Sequence, residues 1–187
     1  MRSPKSAAFL LVVALTVGLT ACSPDHSPAP TASETSPHYR GSVSLAVSYN
    51  SVEQVKAAST LTVRGIALTS HVEMLSDMPF TVTDLTVTGC DDLALVGTHI
   101  AVRQTGSTDY LFEGVTRLLE PGHDYLLMLS PFQLDPAGPQ VGGQYVITGE
   151  QGGWEMTADG ADPIFLGNPD LAKPLTTDDV ADLLQQT

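Results

Sequence analysis

The side chains able to do covalent or metal chemistry are few: two cysteines, Cys22 and Cys90, and five histidines, against 21 acidic and eight basic residues. Their spacing narrows the chemistry further. No Gly-x-Ser-x-Gly elbow presents a serine nucleophile. No His-Glu-x-x-His or Cys-x-x-Cys pair is set to hold zinc, and no glycine loop is spaced to cradle a phosphate. His71, His99 and His123 lie far apart, and His71 beside Glu73 reads as a solvated turn. Asp91-Asp92 and Asp159-Gly160-Ala161-Asp162 offer oxygens but lack the spaced ligands of a calcium loop. These patterns point to a protein that is not an enzyme and carries no cofactor or metal. Cys90 is followed by Asp91 and Asp92, whose carboxylates disfavour a thiolate, so it reads as a small, partly buried side chain.

Binding chemistry has better candidates. Pro131-Phe132-Gln133-Leu134-Asp135-Pro136 sets two apolar side chains, Phe132 and Leu134, in a long proline-framed connection, and long loops in compact domains are often functional. Tyr145 and Trp154 offer aromatic faces on which a sugar ring can stack. Packing onto the core is the default reading for Phe132, Tyr145 and Trp154.

The N-terminus sets where such a site would work. Arg2 and Lys5 precede an apolar run from Ala7 to Gly18, and small residues lead to Cys22. This is the layout of a secretory signal, too short for a membrane-spanning helix. Leu19-Thr20-Ala21-Cys22 resembles the lipobox of bacterial lipoproteins. The resemblance implies cleavage after Ala21 and a diacylglyceryl group on the Cys22 sulfur, and two acyl chains suffice for stable anchoring. Residues 1–21 are thus expected to be a signal peptide. The protein would be held on the extracytoplasmic side of the cell membrane by lipid on Cys22.

Loss of Arg2 and Lys5 with the signal takes the formal charge from −13 to −15. Such a surface repels phosphates and anionic headgroups, so nucleic acid is excluded as a partner. With Cys22 acylated, Cys90 has no intramolecular partner and the fold must rest on its apolar core, although a disulfide to another chain stays open. Residues 22–40 hold the anchor and a Ser/Thr/Pro-rich stretch that cannot bury enough apolar surface to fold. They are expected to form a disordered tether reaching at most about 50 Å.

Residues 41–187 are expected to be one domain. Val43, Leu45, Val47 and Tyr49 alternate as a lead-in or edge strand. Asn50 or Ser51 caps a short helix to Ala58, with Glu53 or Gln54 closing a capping box. Strands are predicted over 61–69, 79–88, 95–104 with a break at Gly97, 125–129, 144–148 and 152–157. Gly65 in mid-strand implies a bend or a close backbone approach. Gly89-Cys90-Asp91-Asp92 reads as a turn, and Pro121-Gly122 fits the centre of a type II turn. The run Tyr125–Leu129 is apolar on both faces and belongs at the centre of the core. Thr176-Thr177-Asp178-Asp179 opens a C-terminal helix with Val180, Leu183 and Leu184 as its apolar stripe, placed over one open end of the sheet. The class is all-β with short flanking helices. A small five- or six-stranded barrel of oligonucleotide/oligosaccharide-binding (OB) type fits the strand count.

The runs Leu61–Gly65, Phe80–Val82, Ile100–Gln104, Leu119–Leu129, Tyr145–Gly149 and Gln151–Trp154 resemble those of a group of exported, mostly uncharacterised lipoproteins of Gram-positive, actinobacterial type. The resemblance implies an OB-like barrel similar to the netrin/TIMP-like variety and carries over no catalytic residue. The expected function is an interaction or binding module at the cell envelope, taking an envelope protein or wall polymer through barrel loops. The alternative is a carrier or sensor of a small ligand or glycan, and an envelope enzyme ranks third. An exposed apolar 131–136 loop favours the first, and a concave pocket with converging polar groups the second.

Overall fold

The computed structural model describes residues 39–42, 45 and 47–185, within a compact unit that runs from Thr35 to Thr187. Residues 1–38, which hold the expected signal peptide, Cys22 and most of the expected tether, lie outside the described residues, as do Val43, Ser44, Ala46, Gln186 and Thr187. The elements in order are β1 (Tyr39–Ser42), α1 (Val52–Ala58), β2 (Leu61–Leu75), β3 (Met78–Cys90), β4 (His99–Thr105) and β5 (Tyr110–Glu113), then β6 (Asp124–Pro131), β7 (Gln144–Ile147), β8 (Gly153–Thr157), β9 (Gly160–Pro163), β10 (Leu175–Thr176) and α2 (Thr177–Leu184). Strands dominate, as the alternating pattern requires. No helix among the described residues is long and apolar enough to cross a membrane.

Eight strands form one sheet in the order β10-β9-β8-β6-β2-β3-β4-β7, and β7 also pairs with β6. The neighbours are antiparallel except β4 and β7, which run parallel. A separate parallel pair joins β1 to β5.

Strand β6 lies between two cores, which is why its sequence has no polar face. Tyr125, Leu127 and Leu129 point into a cluster with Val63, Leu85 and Val102. Leu126 and Met128 point the other way, into a cluster with Val55, Trp154, Leu171 and Val180. Each such side chain contributes about 1.5–3 kcal/mol by leaving water. The second core is closed by the two helices. Ser51 caps α1 by accepting from the Gln54 N–H, and Thr176 caps α2 in a reciprocal capping box with Asp179. The Lys56 ammonium donates to the Leu183 carbonyl at 2.9 Å and ties the helices together.

Local signals and structure diverge in several places. Strand β2 continues six residues past Thr69, so His71 and Glu73 lie in a strand and the expected solvated turn is absent there. The reason is the turn Ser76-Asp77, where both residues hold positive φ (50° and 64°) and close a two-residue hairpin without the usual glycine. Strand β3 takes in Gly89 and Cys90, and the chain turns only at Asp91, whose carboxylate accepts the Thr62 N–H at 3.1 Å. Leu95 ends a 3-10 turn and is not in a strand. Tyr39 and Arg40, assigned to the tether, belong to β1, while 47–49 has no regular structure. Helix α2 seats Val180 in the second core and packs against β9 and β10, the strands at one end of the sheet order.

Gly65 meets its expectation. The β2–β3 register shifts at Arg64/Gly65, and a Cβ at Gly65 would stand 2.8 Å from the Thr86 carbonyl oxygen. Gly122 has φ of 88° and His123 N–H donates to the Glu120 carbonyl, as a type II turn requires.

Candidate functional site

The long β2–β3 hairpin faces the connection that runs from the end of β4 through β5 to Pro121. Between them lies a pocket of about 620 Å³. The hairpin supplies Ser70, Val72 and Thr81, and the connection supplies Thr105, Leu111, Val115 and Thr116. His71, Arg117 and Glu120 bring its ionisable groups. The lining thus alternates hydroxyls with aliphatic and aromatic surface, a mixture that suits a small amphipathic molecule.

Strand register decides what the hairpin shows. Ser70 pairs with Thr83 and Val72 with Thr81 on the pocket face, while Glu73 pairs with Phe80 on the reverse face. A clamp on that reverse face holds the hairpin. Arg103 of β4 is only 6% exposed and makes an ion pair with Glu73. Its Nε donates to Gln144 Oε1 at 2.6 Å. Its guanidinium lies over Phe80, 5.2 Å to the ring centre, and Phe132, 4.5 Å. Burial pushes the Glu73 carboxyl up. Hydrogen bonds from His71 and Gln144 and the Arg103 charge outweigh that, leaving it below the usual carboxylate range.

The opposite wall is built on side-chain bonds because the 106–121 backbone has few strand partners. Gly106 takes φ of 98°, its N–H donates to the Pro79 carbonyl and its own carbonyl accepts the Thr81 hydroxyl at 2.8 Å. Thr116 is buried and bonds Glu150 three ways: through its N–H and hydroxyl to the carboxylate, and through the hydroxyl to the carbonyl at 2.8 Å. Thr105 donates to the same carboxylate at 3.2 Å, and Glu150 itself holds φ of 59°. Gln104, buried, donates to the Arg117 carbonyl at 2.9 Å and accepts the Leu119 N–H at 2.8 Å. At the rim Glu155 pairs with Arg117 and with His123 Nδ1 at 2.6 Å. The His123 bond, with the Arg117 charge, holds the Glu155 carboxyl below its ordinary range.

The binding residues expected from sequence do not converge. Phe132 is half-buried as one lid of the Arg103 clamp, and Leu134 is 66% exposed two residues on. Tyr145 packs against the first core and Trp154 is fully buried in the second, so these two form no exposed platform for a sugar. Trp154 contributes packing, with an indole N–H that meets no acceptor among the described residues. Cys90 is buried, and burial pushes its thiol up to about 11. Among the described residues no group of three or more His, Cys, Asp or Glu side chains is placed to hold a metal ion.

The pocket itself escaped the sequence reading, which places no strand or helix between 105 and 117. One signal was present: the apolar triplet Tyr110-Leu111-Phe112 inside a connection of sixteen residues between β4 and Gly122, longer than a loop with no role needs to be. Comparison of the chain with protein-family models, with curated proteins and with solved structures finds no match.

Proposed function

We propose that the protein is a lipid-anchored extracytoplasmic binding protein that takes a small ligand or glycan into the pocket between the β2–β3 hairpin and residues 105–121. The observation that carries this reading is the pocket: about 620 Å³, within the range of small-molecule sites, with hydroxyls set among apolar walls. The circuit of pairings β2–β3–β4–β7–β6–β2, with β4 and β7 parallel, supports reading the main sheet as a five-stranded OB-like barrel extended on one side by β8, β9 and β10. On that reading the pocket opens beside the barrel mouth. The anchor rests on Leu19–Cys22 and the apolar run before it. Its test is Cys22→Ser, which releases the protein from membranes if Cys22 is acylated and leaves it bound if it is not.

The binding test is a thermal-shift screen of sugars and small envelope metabolites. A ligand at a hundred times its Kd stabilises by about 2.7 kcal/mol, a rise of roughly 5–10 °C for a domain of this size. The rise should vanish in Val115→Trp, which fills the pocket. A rise that survives that change places binding elsewhere. One observation favours the second reading, a protein or wall-polymer contact: Leu134 stands exposed in the 131–143 loop. Leu134→Asp would abolish capture of such a partner.

A further inference from the structure

We propose that the pocket's ligand is an uncharged amphiphile drawn from the membrane on which the protein is anchored, an apolar chain carrying a neutral hydroxylated head. The proposal rests on the pocket reading above and names the ligand class.

Three observations lead to it. The first is where the anchor enters the domain. Strand β1, the first described segment after the tether, runs parallel to β5 with Tyr39 beside Tyr110, Arg40 beside Leu111 and Gly41 beside Phe112. Tyr110, Leu111 and Phe112 are pocket wall. The chain from Cys22 therefore joins the domain at the pocket, and its seventeen steps to Tyr39 span at most about 50 Å. The second is the apolar surface at the mouth. Val72 is 54% exposed, Met74 64%, Tyr110 43% and Leu111 41%. Met74 follows Val72 by two in β2 and so shares its face. Exposed side chains grouped around a pocket are a contact surface for something apolar.

The third is charge. Each ionisable side chain of the lining already has a partner: His71 stands 3.2 Å from Glu73, Arg117 pairs with Glu155, and Glu120 lies 3.8 Å from His123. Among the described residues the pocket offers no cation free to hold a phosphate or carboxylate, and the chain's formal charge of −13 opposes anions further. What remains for a polar head is hydroxyl chemistry: the Thr108 hydroxyl, and the free lone pairs of Ser70 and Thr105, whose hydroxyls already bond Thr83 and Glu150. Apolar walls, an apolar mouth and these hydroxyls select a neutral head on a hydrocarbon tail.

The test uses the full chain carrying Cys22→Ser, so that no detergent is needed, titrated calorimetrically with octyl glucoside below its micelle concentration. Glucose, decanoate and decyltrimethylammonium are the comparison probes. The proposal expects octyl glucoside to bind at least about tenfold more tightly than each of the three. Val72→Asp and Leu111→Asp, both at exposed positions that tolerate a charge, should weaken it about tenfold with an unchanged melting temperature, because a carboxylate in an apolar wall forfeits the burial of that wall. Leu134→Asp should change nothing. Glucose matching octyl glucoside overturns the amphiphile and leaves the pocket reading standing. Decanoate or decyltrimethylammonium matching it overturns the neutral head. Binding lost in Leu134→Asp but kept in Val72→Asp overturns the site, and with it the pocket reading. No binding of any probe overturns the ligand class, while the metabolite screen still decides whether the pocket binds at all.

Discussion

Removing the carboxylate from the Arg103 clamp should cost more than removing the guanidinium. Arg103 is 6% exposed, whereas 35% of the Glu73 side chain reaches solvent. In Glu73→Gln the guanidinium stays buried without its counter-charge, and Arg103 Nη1 already lacks an acceptor among the described residues. Breaking a fully buried pair this way costs about 3–5 kcal/mol. The partial exposure of Glu73 lets water offset some of that, leaving about 2–3 kcal/mol. Arg103→Met keeps an apolar stem between Phe80 and Phe132 and leaves Glu73 with His71, Gln144 and solvent. It forfeits the two ring contacts and the Gln144 bond, about 1–2 kcal/mol. The double variant should then cost less than the sum of the singles, by about 1–2 kcal/mol. The assay is urea denaturation at pH 7 of the four proteins in the Cys22→Ser background. The pH dependence has a definite sign. The folded Glu73 carboxyl sits below its ordinary value, so its contribution is present above the unfolded pKa and is lost as pH falls through the folded one. Glu73→Gln should flatten that part of the acid limb. A Glu73→Gln cost under about 1 kcal/mol, or an Arg103→Met cost larger than that of Glu73→Gln, would refute the clamp.

The other predictions concern the opposite wall and the lone described thiol. Gly106→Ala puts a Cβ 2.7 Å from the Tyr110 carbonyl oxygen at a φ of 98°, and should destabilise by about 1–3 kcal/mol in the same denaturation assay. Thr116→Val removes the hydroxyl that bonds the Glu150 carboxylate and carbonyl. It should cost about 1–3 kcal/mol and raise amide exchange across 105–121 well before global unfolding. Cys90, buried with its thiol pushed up to about 11, should resist iodoacetamide at pH 8 in the folded protein and react once the chain is unfolded.

What could be read in advance was whatever neighbours in sequence decide. Strand β6 was legible because five successive apolar residues fit only a strand buried on both sides, and both helices were legible from Ser51 and Thr176. The tip of β2 was not, because a register shift between Ala67 and Ser70 breaks the alternation and Ser76-Asp77 turns without glycine. Strands β9 and β10 run four and two residues, too short for a period to show. The pocket was hidden for a different reason. It depends on Glu150 reaching Thr116, on Gln104 reaching Leu119 and on β1 reaching β5, pairings that local pattern does not encode. Trp154 stayed open between core and sugar platform because an aromatic side chain between glycines and Glu155 carries no mark of which face will be covered; the second core covers it completely.

The most direct test of the pocket is a map of amide chemical-shift changes as octyl glucoside is added below its micelle concentration to the isotope-labelled full chain carrying Cys22→Ser. The account predicts that the perturbed amides cluster at 70–72, at Thr81 and across 105–121, with 131–143 unmoved. Perturbations centred on the 131–143 loop would contradict it.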